Sequence, residues 1–175
     1  LSPDEGGTNR AIYLANVLGL DMGMFYKRRD YTQIVNGRNP IVAHEFLGSS
    51  VEGKDVIIID DMISSGDSII EVATELKRRK AKRIFAAATF GLFTNGLDKF
   101  DQAYEDGTIS GILTTNLIYQ TPELLSRPYY INCDMSKYIA LIIDTLNHDG
   151  SISSILSPDE RIQHVLQKYK NGETI

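Results

Sequence analysis

A buried-type run, Val56-Ile57-Ile58-Ile59, delivers two adjacent carboxylates, Asp60 and Asp61, and after Met62-Ile63 the chain enters a short hydroxyl-rich segment, Ser64-Ser65-Gly66-Asp67-Ser68. Read as a strand, a loop and the start of a helix, this stretch combines two chemistries. Backbone N–H groups at a helix start, with the Ser64, Ser65 and Ser68 hydroxyls, can surround a phosphate monoester, because amides converging there favour an anion. The carboxylates can hold what the phosphate is attached to. Adjacent side chains on a strand end point to opposite sides, so Asp60 and Asp61 suit either sugar hydroxyls or the water shell of a Mg2+ ion, which keeps several waters and takes few protein carboxylates. The plainer alternative is a strand ending in a solvated acidic pair that caps the next helix. A Walker B strand would need a Gly-x-x-x-x-Gly-Lys-Ser/Thr partner loop, and the sequence contains none.

The elements that must position these groups alternate along the chain. Ala11, Ile12, Leu14, Ala15 and Leu18 fall on a helical period closed by Gly19, predicting a helix over residues 8–18. Residues 22–26 read as a short strand. The polar stretch from Lys27 to Pro40, with Asn36-Gly37 as a turn signal, reads as a long loop, and residues 41–47 as a strand or hairpin arm. The four-residue run before Asp60 is of the kind buried on both faces of a parallel sheet. Further helices are expected over residues 69–80, 97–104 and 136–146, and strands over 83–89, 111–115 and 129–132. Ser157-Pro158-Asp159-Glu160 predicts a last helix to about Tyr169, with Ser157 as its N-cap and Pro158 in its first turn. This order argues for an α/β fold, a three-layer domain with a mostly parallel central sheet flanked by helices, whose ligand crevice lies beyond the carboxyl ends of the strands.

Composition bounds the partners. With 175 residues, 42% apolar and 23% charged, the chain is sized like one globular domain. Eighteen basic against 23 acidic side chains leave a net charge of −5, which disfavours nucleic acid, because phosphate backbones need a basic footprint. Lys77-Arg78-Arg79-Lys80 accordingly reads as a helix end complementing its dipole. The one cysteine, Cys133, rules out an intramolecular disulfide and suits a reducing cytoplasm. The three histidines lack metal-ligand spacing, and no apolar run approaches the roughly 20 residues of a membrane span. The opening at Leu1 rather than Met, in what reads as mid-element, is expected of a fragment or a processed chain.

The pattern of apolar residues, paired acids and hydroxyl-rich phosphate loop resembles the phosphoribosyl diphosphate-binding motif of the type I phosphoribosyltransferase fold. Other segments narrow the likeness. Ser2-Pro3-Asp4-Glu5-Gly6-Gly7 with Arg10-Ala11, Tyr26-Lys27-Arg28-Arg29, Val51-Glu52-Gly53-Lys54-Asp55, Ala88-Thr89 with Gly91-Leu92-Phe93, Thr115-Asn116 and Ser151-Ile152-Ser153 are similar, in order, to signatures of the ribose-phosphate diphosphokinase family. The resemblance covers most of residues 1–156, leaves 157–175 as a carboxyl-terminal helix and tail, and corresponds to the carboxyl-terminal half of such an enzyme. It implies transfer of diphosphate from Mg-ATP to the anomeric hydroxyl of ribose 5-phosphate, with release of AMP. On this likeness Ser64, Ser65, Gly66, Asp67 and Ser68 grip the sugar phosphate and Asp60 and Asp61 its hydroxyls. Asp4 helps with Mg2+, and Lys27 and Arg29 stabilise charge on the transferring phosphates. Closure of residues 30–48 would exclude water. Homo-oligomeric assembly in the cytoplasm is implied as well. Taken alone, Lys27-Arg28-Arg29 is a solvated strand end, Asp4 a turn residue and Arg10 a helix-surface charge with no role.

Two departures bear on this. The family usually has an acid where Ser64 stands, Thr rather than Ser, and a small residue in place of Asp67. A carboxylate in an anion-binding loop repels its guest unless it faces solvent or caps the helix, and Asp67 is expected to face outward. Nothing in the sequence matches the arginine-bearing loop that, in the family, a neighbouring subunit's amino-terminal half adds to the adenine pocket. The chain alone is therefore expected to retain the sugar-phosphate site but to turn over poorly or not at all. The alternatives are a phosphoribosyltransferase that consumes the diphosphate sugar, or a non-catalytic regulatory subunit of the same fold.

Overall fold

The computed structural model describes residues 1–29 and 41–173, with the side chains of 27–29, 41–44 and 154 left aside. Helix α1 (Thr8–Leu18) follows a short extended segment at Leu1-Ser2 and ends on Gly19 in the left-handed region. Strands β1 (Gly23–Arg29) and β2 (Ile41–Gly48) form an antiparallel pair, in register from Gly23 opposite Gly48 to Arg28 opposite Ala43, with an irregularity before Arg29. Part of the expected loop is thus a strand. Of the expected closing segment 30–48, residues 41–48 form the expected hairpin arm paired to β1, while residues 30–40 lie outside the described residues.

The main sheet holds β3 (Val56–Ile63), β4 (Ile84–Gly91), β5 (Gly111–Thr115) and β6 (Tyr130–Cys133), parallel and in that spatial order. Between them run α2 (Asp67–Arg78), α3 (Asp98–Glu105) and α4 (Pro122–Leu125). Strands that succeed each other in one direction through right-handed crossovers put these connecting helices on one face. There Ile69, Val72, Ala73 and Leu76 of α2 and Phe100 and Ala103 of α3 are buried in one core with Val56, Ile58, Ile63, Ile84, Ala86 and Ile112. Each fully buried aliphatic side chain contributes about 1.5–3 kcal/mol, so α2 is held by its inner stripe. Its first turn carries Asp67 and its last turn Lys77 and Arg78, matching the helix dipole. The three-layer α/β expectation holds.

Two expectations fail in detail. The run before Asp60 is not buried on both faces: Ile58 is 0% exposed but Ile57 is 40%. Side chains alternate along a strand, and the face bearing Ile57 and the exposed Ile131 is thinly covered by this chain. The helix predicted to start on a Ser157 cap, α7 (Asp159–Lys170), starts a residue later with Pro158 in the cap position and no side-chain cap. The short α6 (Ser153–Leu156) runs into Ser157, whose extended backbone joins the two helices. Helix α5 (Ser136–Asn147) matches its predicted span. Helix α7 docks on α1, with the Tyr13 hydroxyl donating to Asp159 at 2.7 Å and the Gln163 amide to the Val17 carbonyl at 2.8 Å. Among the described residues no helix is long and apolar enough to cross a membrane.

Leu1-Ser2 joins the two sheets. The Leu1 nitrogen donates to the Ile57 carbonyl at 2.8 Å and the Ile59 N–H to the Leu1 carbonyl at 2.9 Å, a parallel pairing with β3. On its other side, Ser2 N–H donates to Gly23 at 2.9 Å and Phe25 N–H to Ser2 at 3.1 Å, again parallel. From Leu1-Ser2 the chain winds one way, through α1 to β1, whereas from β3 it winds the other way, through α2 to β4. The point of reversal lies between Leu1-Ser2 and β3, and in open α/β sheets ligands bind outside the carboxyl ends at such a point.

Candidate functional site

At that reversal the segment leaving Ser2 and the end of β3 face each other. Ser2 is fully buried and its hydroxyl donates to the Asp4 carbonyl at 2.6 Å, fixing the turn that carries Asp4. One Asp4 oxygen accepts the Gly7 N–H at 3.2 Å, the turn role open to an Asp before Gly6-Gly7, and the side chain remains exposed. A Cβ at Gly7 would lie 2.6 Å from the Ser2 hydroxyl and 3.5 Å from the Ile59 carbonyl, so α1 can approach β3 only through a glycine here.

Asp60 and Asp61 lie on the strand, as expected, but not at its last position. Strand β3 continues to Ile63 because β4 continues beside it, with Asp60 opposite Ala88, Met62 opposite Phe90 and Ile63 opposite Gly91. Each carboxylate accepts the next N–H, Asp60 from Asp61 at 2.8 Å and Asp61 from Met62 at 2.9 Å. Across both lies Arg10 of α1, with Nη1 3.9 Å from Asp60 and Nη2 3.9 Å from Asp61. Burial, with the charges of Asp61 and Asp4 adding to it, pushes the Asp60 carboxyl up to about 6, although the Asp61 N–H works the other way. Asp61 sits below the ordinary range, through its interaction with the Asp60 carboxyl first, then the Met62 N–H and the Arg10 charge. Two adjacent acids whose pKa values are pushed apart are the pattern of a ligand-binding pair more than of a solvated strand end.

The hydroxyl-rich loop is stitched to the segment after β4. The Ile63 carbonyl accepts the Leu92 N–H at 2.8 Å, the Ser64 carbonyl accepts the Thr94 N–H at 3.0 Å, and the Ser64 and Thr94 hydroxyls lie 3.5 Å apart. Gly66, at φ +83°, caps α2 and rests on the Phe100 ring, which packs edge-on against Phe93 at 5.1 Å. Phe93 in turn contacts Tyr130, so it belongs to the packing beneath the loop. Asp67 is exposed, and its carboxylate is engaged by the Lys99 ammonium of α3 and by the Ser65 hydroxyl at 2.8 Å. Both hold its pKa down, Lys99 more than Ser65. The negative charge that the loop should not carry is therefore compensated by a lysine 32 residues away, which sequence reading did not pair with it.

The structure brings together Asp4, Asp60 and Asp61, and sets Ser64, Ser65, Gly66, Asp67 and Ser68 just beyond them at the start of α2. Lys27 and Arg29 fall near the carboxyl end of β1, the same edge of the sheet as the Asp pair, because β1, Leu1-Ser2 and β3 run parallel. Their side chains lie outside the described residues. Arg10 was missed. Its signal was available, since a cation in the first turn of a helix with no acid in that turn opposes the helix dipole and calls for an external partner. Among the described residues no three His, Cys, Asp or Glu side chains form a metal cluster.

A family model described as the phosphoribosyl transferase domain matches residues 1–126. The chain belongs to this family. The domain is 31% identical over 159 residues to a ribose-phosphate pyrophosphokinase of Vibrio parahaemolyticus, covering 90% of this chain and 47% of that protein. It is 34% identical over 128 residues to a ribose-phosphate pyrophosphokinase of Thermococcus kodakarensis, covering 71% of this chain and 43% of the relative. The chain thus spans about half the length of the curated relatives it matches. In fold it is similar to the crystal structure of phosphoribosylpyrophosphate synthetase from Mycobacterium smegmatis, with a TM-score of 0.69 at 24% identity, covering 85% of this chain and 44% of that one.

The compensated charge in the domain's loop makes a prediction. Replacing Lys99 by Met leaves the Asp67 carboxylate uncompensated in the loop expected to take an anion, and is expected to weaken inorganic phosphate binding there about three- to tenfold, the weight of one partly screened charge. Asp67→Ala in the same background should restore it. Equal phosphate affinities in wild type and Lys99→Met, measured by calorimetry at low salt, would remove Lys99 from the loop's electrostatics.

Proposed function

We propose that the chain is the sugar-phosphate-binding half of a ribose-phosphate diphosphokinase. The observation that carries this is the convergence, at the switch point of the sheet, of a paired carboxylate site on β3 with a hydroxyl-rich loop at the start of a helix. The amides and hydroxyls of Ser64, Ser65, Gly66, Asp67 and Ser68 hold the 5-phosphate, and Asp60 and Asp61 accept hydrogen bonds from the ring hydroxyls. So held, the anomeric oxygen attacks the β-phosphorus of ATP. The bond from that phosphorus to the oxygen bridging it to the α-phosphate breaks, AMP leaves with that oxygen, and the anomeric hydroxyl gives up its proton to solvent. Such chemistry is mostly positioning and charge neutralisation. Lys27 and Arg29 supply cationic charge to the transferring phosphates; one such contact is worth on the order of 3 kcal/mol in the transition state.

An exposed carboxylate, Asp4, stands beside Asp60 closely enough for its charge to be felt there. One or two carboxylates with space for water and phosphate oxygens is the donor set that Mg2+ prefers, so Asp4 is the residue that would hold it. When bound, the ion neutralises charge on the phosphate oxygens. The reading includes a cytoplasmic setting and assembly of several copies, since the resemblance assigns part of the adenine pocket to a neighbouring subunit.

Titration of the chain with ribose 5-phosphate, followed by incubation with Mg-ATP and ribose 5-phosphate, tests the reading. Binding of the sugar phosphate without AMP release is the expected result. Rapid AMP release by the chain alone would overturn the account of the ATP site, and absence of ribose 5-phosphate binding would overturn the sugar-phosphate site itself.

A further inference from the structure

Arg10 is placed at a local disadvantage twice over. It stands in the first turn of α1, where the helix dipole disfavours a cation and no acidic residue offsets it. Its Nη1 is buried and without a hydrogen-bond partner among the described residues, although buried polar atoms are overwhelmingly paired. The guanidinium is not simply ion-paired, because at 3.9 Å from each of Asp60 and Asp61 it is beyond hydrogen-bond distance of both. Charge attraction across that gap keeps it centred between two carboxylates, each of which already accepts the next backbone N–H.

The geometry points to Arg10 as the positioning residue of the sugar site, a charge clamp that orients the Asp60 and Asp61 carboxylates as acceptors for two hydroxyls of one furanose ring. This deepens the function proposed above and rests on it. Bound hydroxyls donate to Asp60 and Asp61, and the carboxylate oxygens that face Arg10 must hold still while they do so. A planar guanidinium faces both acids at once with one nitrogen toward each, where a single ammonium would face one at a time. The phosphate loop's own contacts are to Thr94, Phe100 and Lys99, none of which pairs with Arg10 among the described residues. Arg10 should therefore govern recognition of the sugar and leave recognition of the phosphate alone.

The test compares the wild-type chain with Arg10→Gln and Arg10→Lys by calorimetry against ribose 5-phosphate, 2-deoxyribose 5-phosphate and inorganic phosphate. Arg10→Gln is expected to weaken ribose 5-phosphate about tenfold, the effect of disturbing one charge-assisted contact, while inorganic phosphate stays within about twofold. The preference for ribose 5-phosphate over its 2-deoxy analogue should shrink in Arg10→Gln and return in part in Arg10→Lys. Unchanged ribose 5-phosphate affinity in Arg10→Gln overturns the clamp, as does a parallel loss of ribose 5-phosphate and inorganic phosphate, which would mean a general structural effect. If the wild-type chain binds inorganic phosphate but no ribose 5-phosphate, the proposed function itself falls, and the clamp with it.

Discussion

Gly66→Ala is expected to lower the unfolding temperature by roughly 6–15 °C, the largest effect of any single substitution at the site. Two costs add. The backbone at φ +83° is in the left-handed region, where a Cβ costs roughly 1–2 kcal/mol. The new methyl would also collide with Phe100 Cζ and stand within 3 Å of both ring Cε atoms. Phe100 is fully buried against Phe93 and the α2 face, so it has little room to retreat, and overpacking of this kind costs about 1–3 kcal/mol. The loop amides move with the strain, so phosphate binding should fall along with stability. Phe100→Leu should recover part of the loss when combined with Gly66→Ala, relative to the two single variants added together. An unfolding temperature within about 1 °C of wild type for Gly66→Ala would show that the ring does not buttress the loop.

Asp60→Asn is expected to make the folded chain more stable at neutral pH and less able to bind sugar phosphate. The Asp60 carboxyl ionises at about 6 in the folded chain against an ordinary value of 3.8, so between these values the folded state binds more protons than the unfolded state. Stability must then fall as pH rises through that window, by on the order of 1–2 kcal/mol once solvent screening of this partly exposed group is allowed for. Asparagine removes the ionisation while keeping an oxygen to accept the Asp61 N–H. Its advantage should be absent near pH 4, grow between pH 4 and 6, and level off above that, read from denaturant midpoints at each pH. A difference between variant and wild type that did not change with pH would mean that burial of Asp60 carries no such penalty. Retaining a costly ionised group where a neutral one would be more stable is expected of a binding site.

Much of this was legible in local patterns. The helix at residues 8–18 and the strand at 111–115 coincide with α1 and β5, because apolar period, glycine stops and β-branched content are local quantities. The paired acids and the serine-rich loop could be read as an anion site for the same reason. Where the reading fell short, a neighbour distant in sequence decided the outcome. The Asp pair was legible as a strand end, but pairing with β4 carries β3 past it to Ile63 and sets the pair inside the ladder. Helix α4 was overlooked although Thr121-Pro122 is a start signal, and the Thr121 hydroxyl accepts the Leu124 N–H at 3.1 Å.

The sequence by itself determined the kind of chemistry available: two carboxylates at a strand end, a hydroxyl and amide nest beyond them, and the alternating elements of an α/β sheet. Only the tertiary structure decided what controls that chemistry. Two backbone hydrogen bonds from Leu1 seat the first segment against β3, which brings Asp4 and Arg10 to the Asp pair, and the packing of α3 brings Lys99 to Asp67. Charge compensation acts through space over a few ångströms, and the partners come from elements that the chain's order keeps apart.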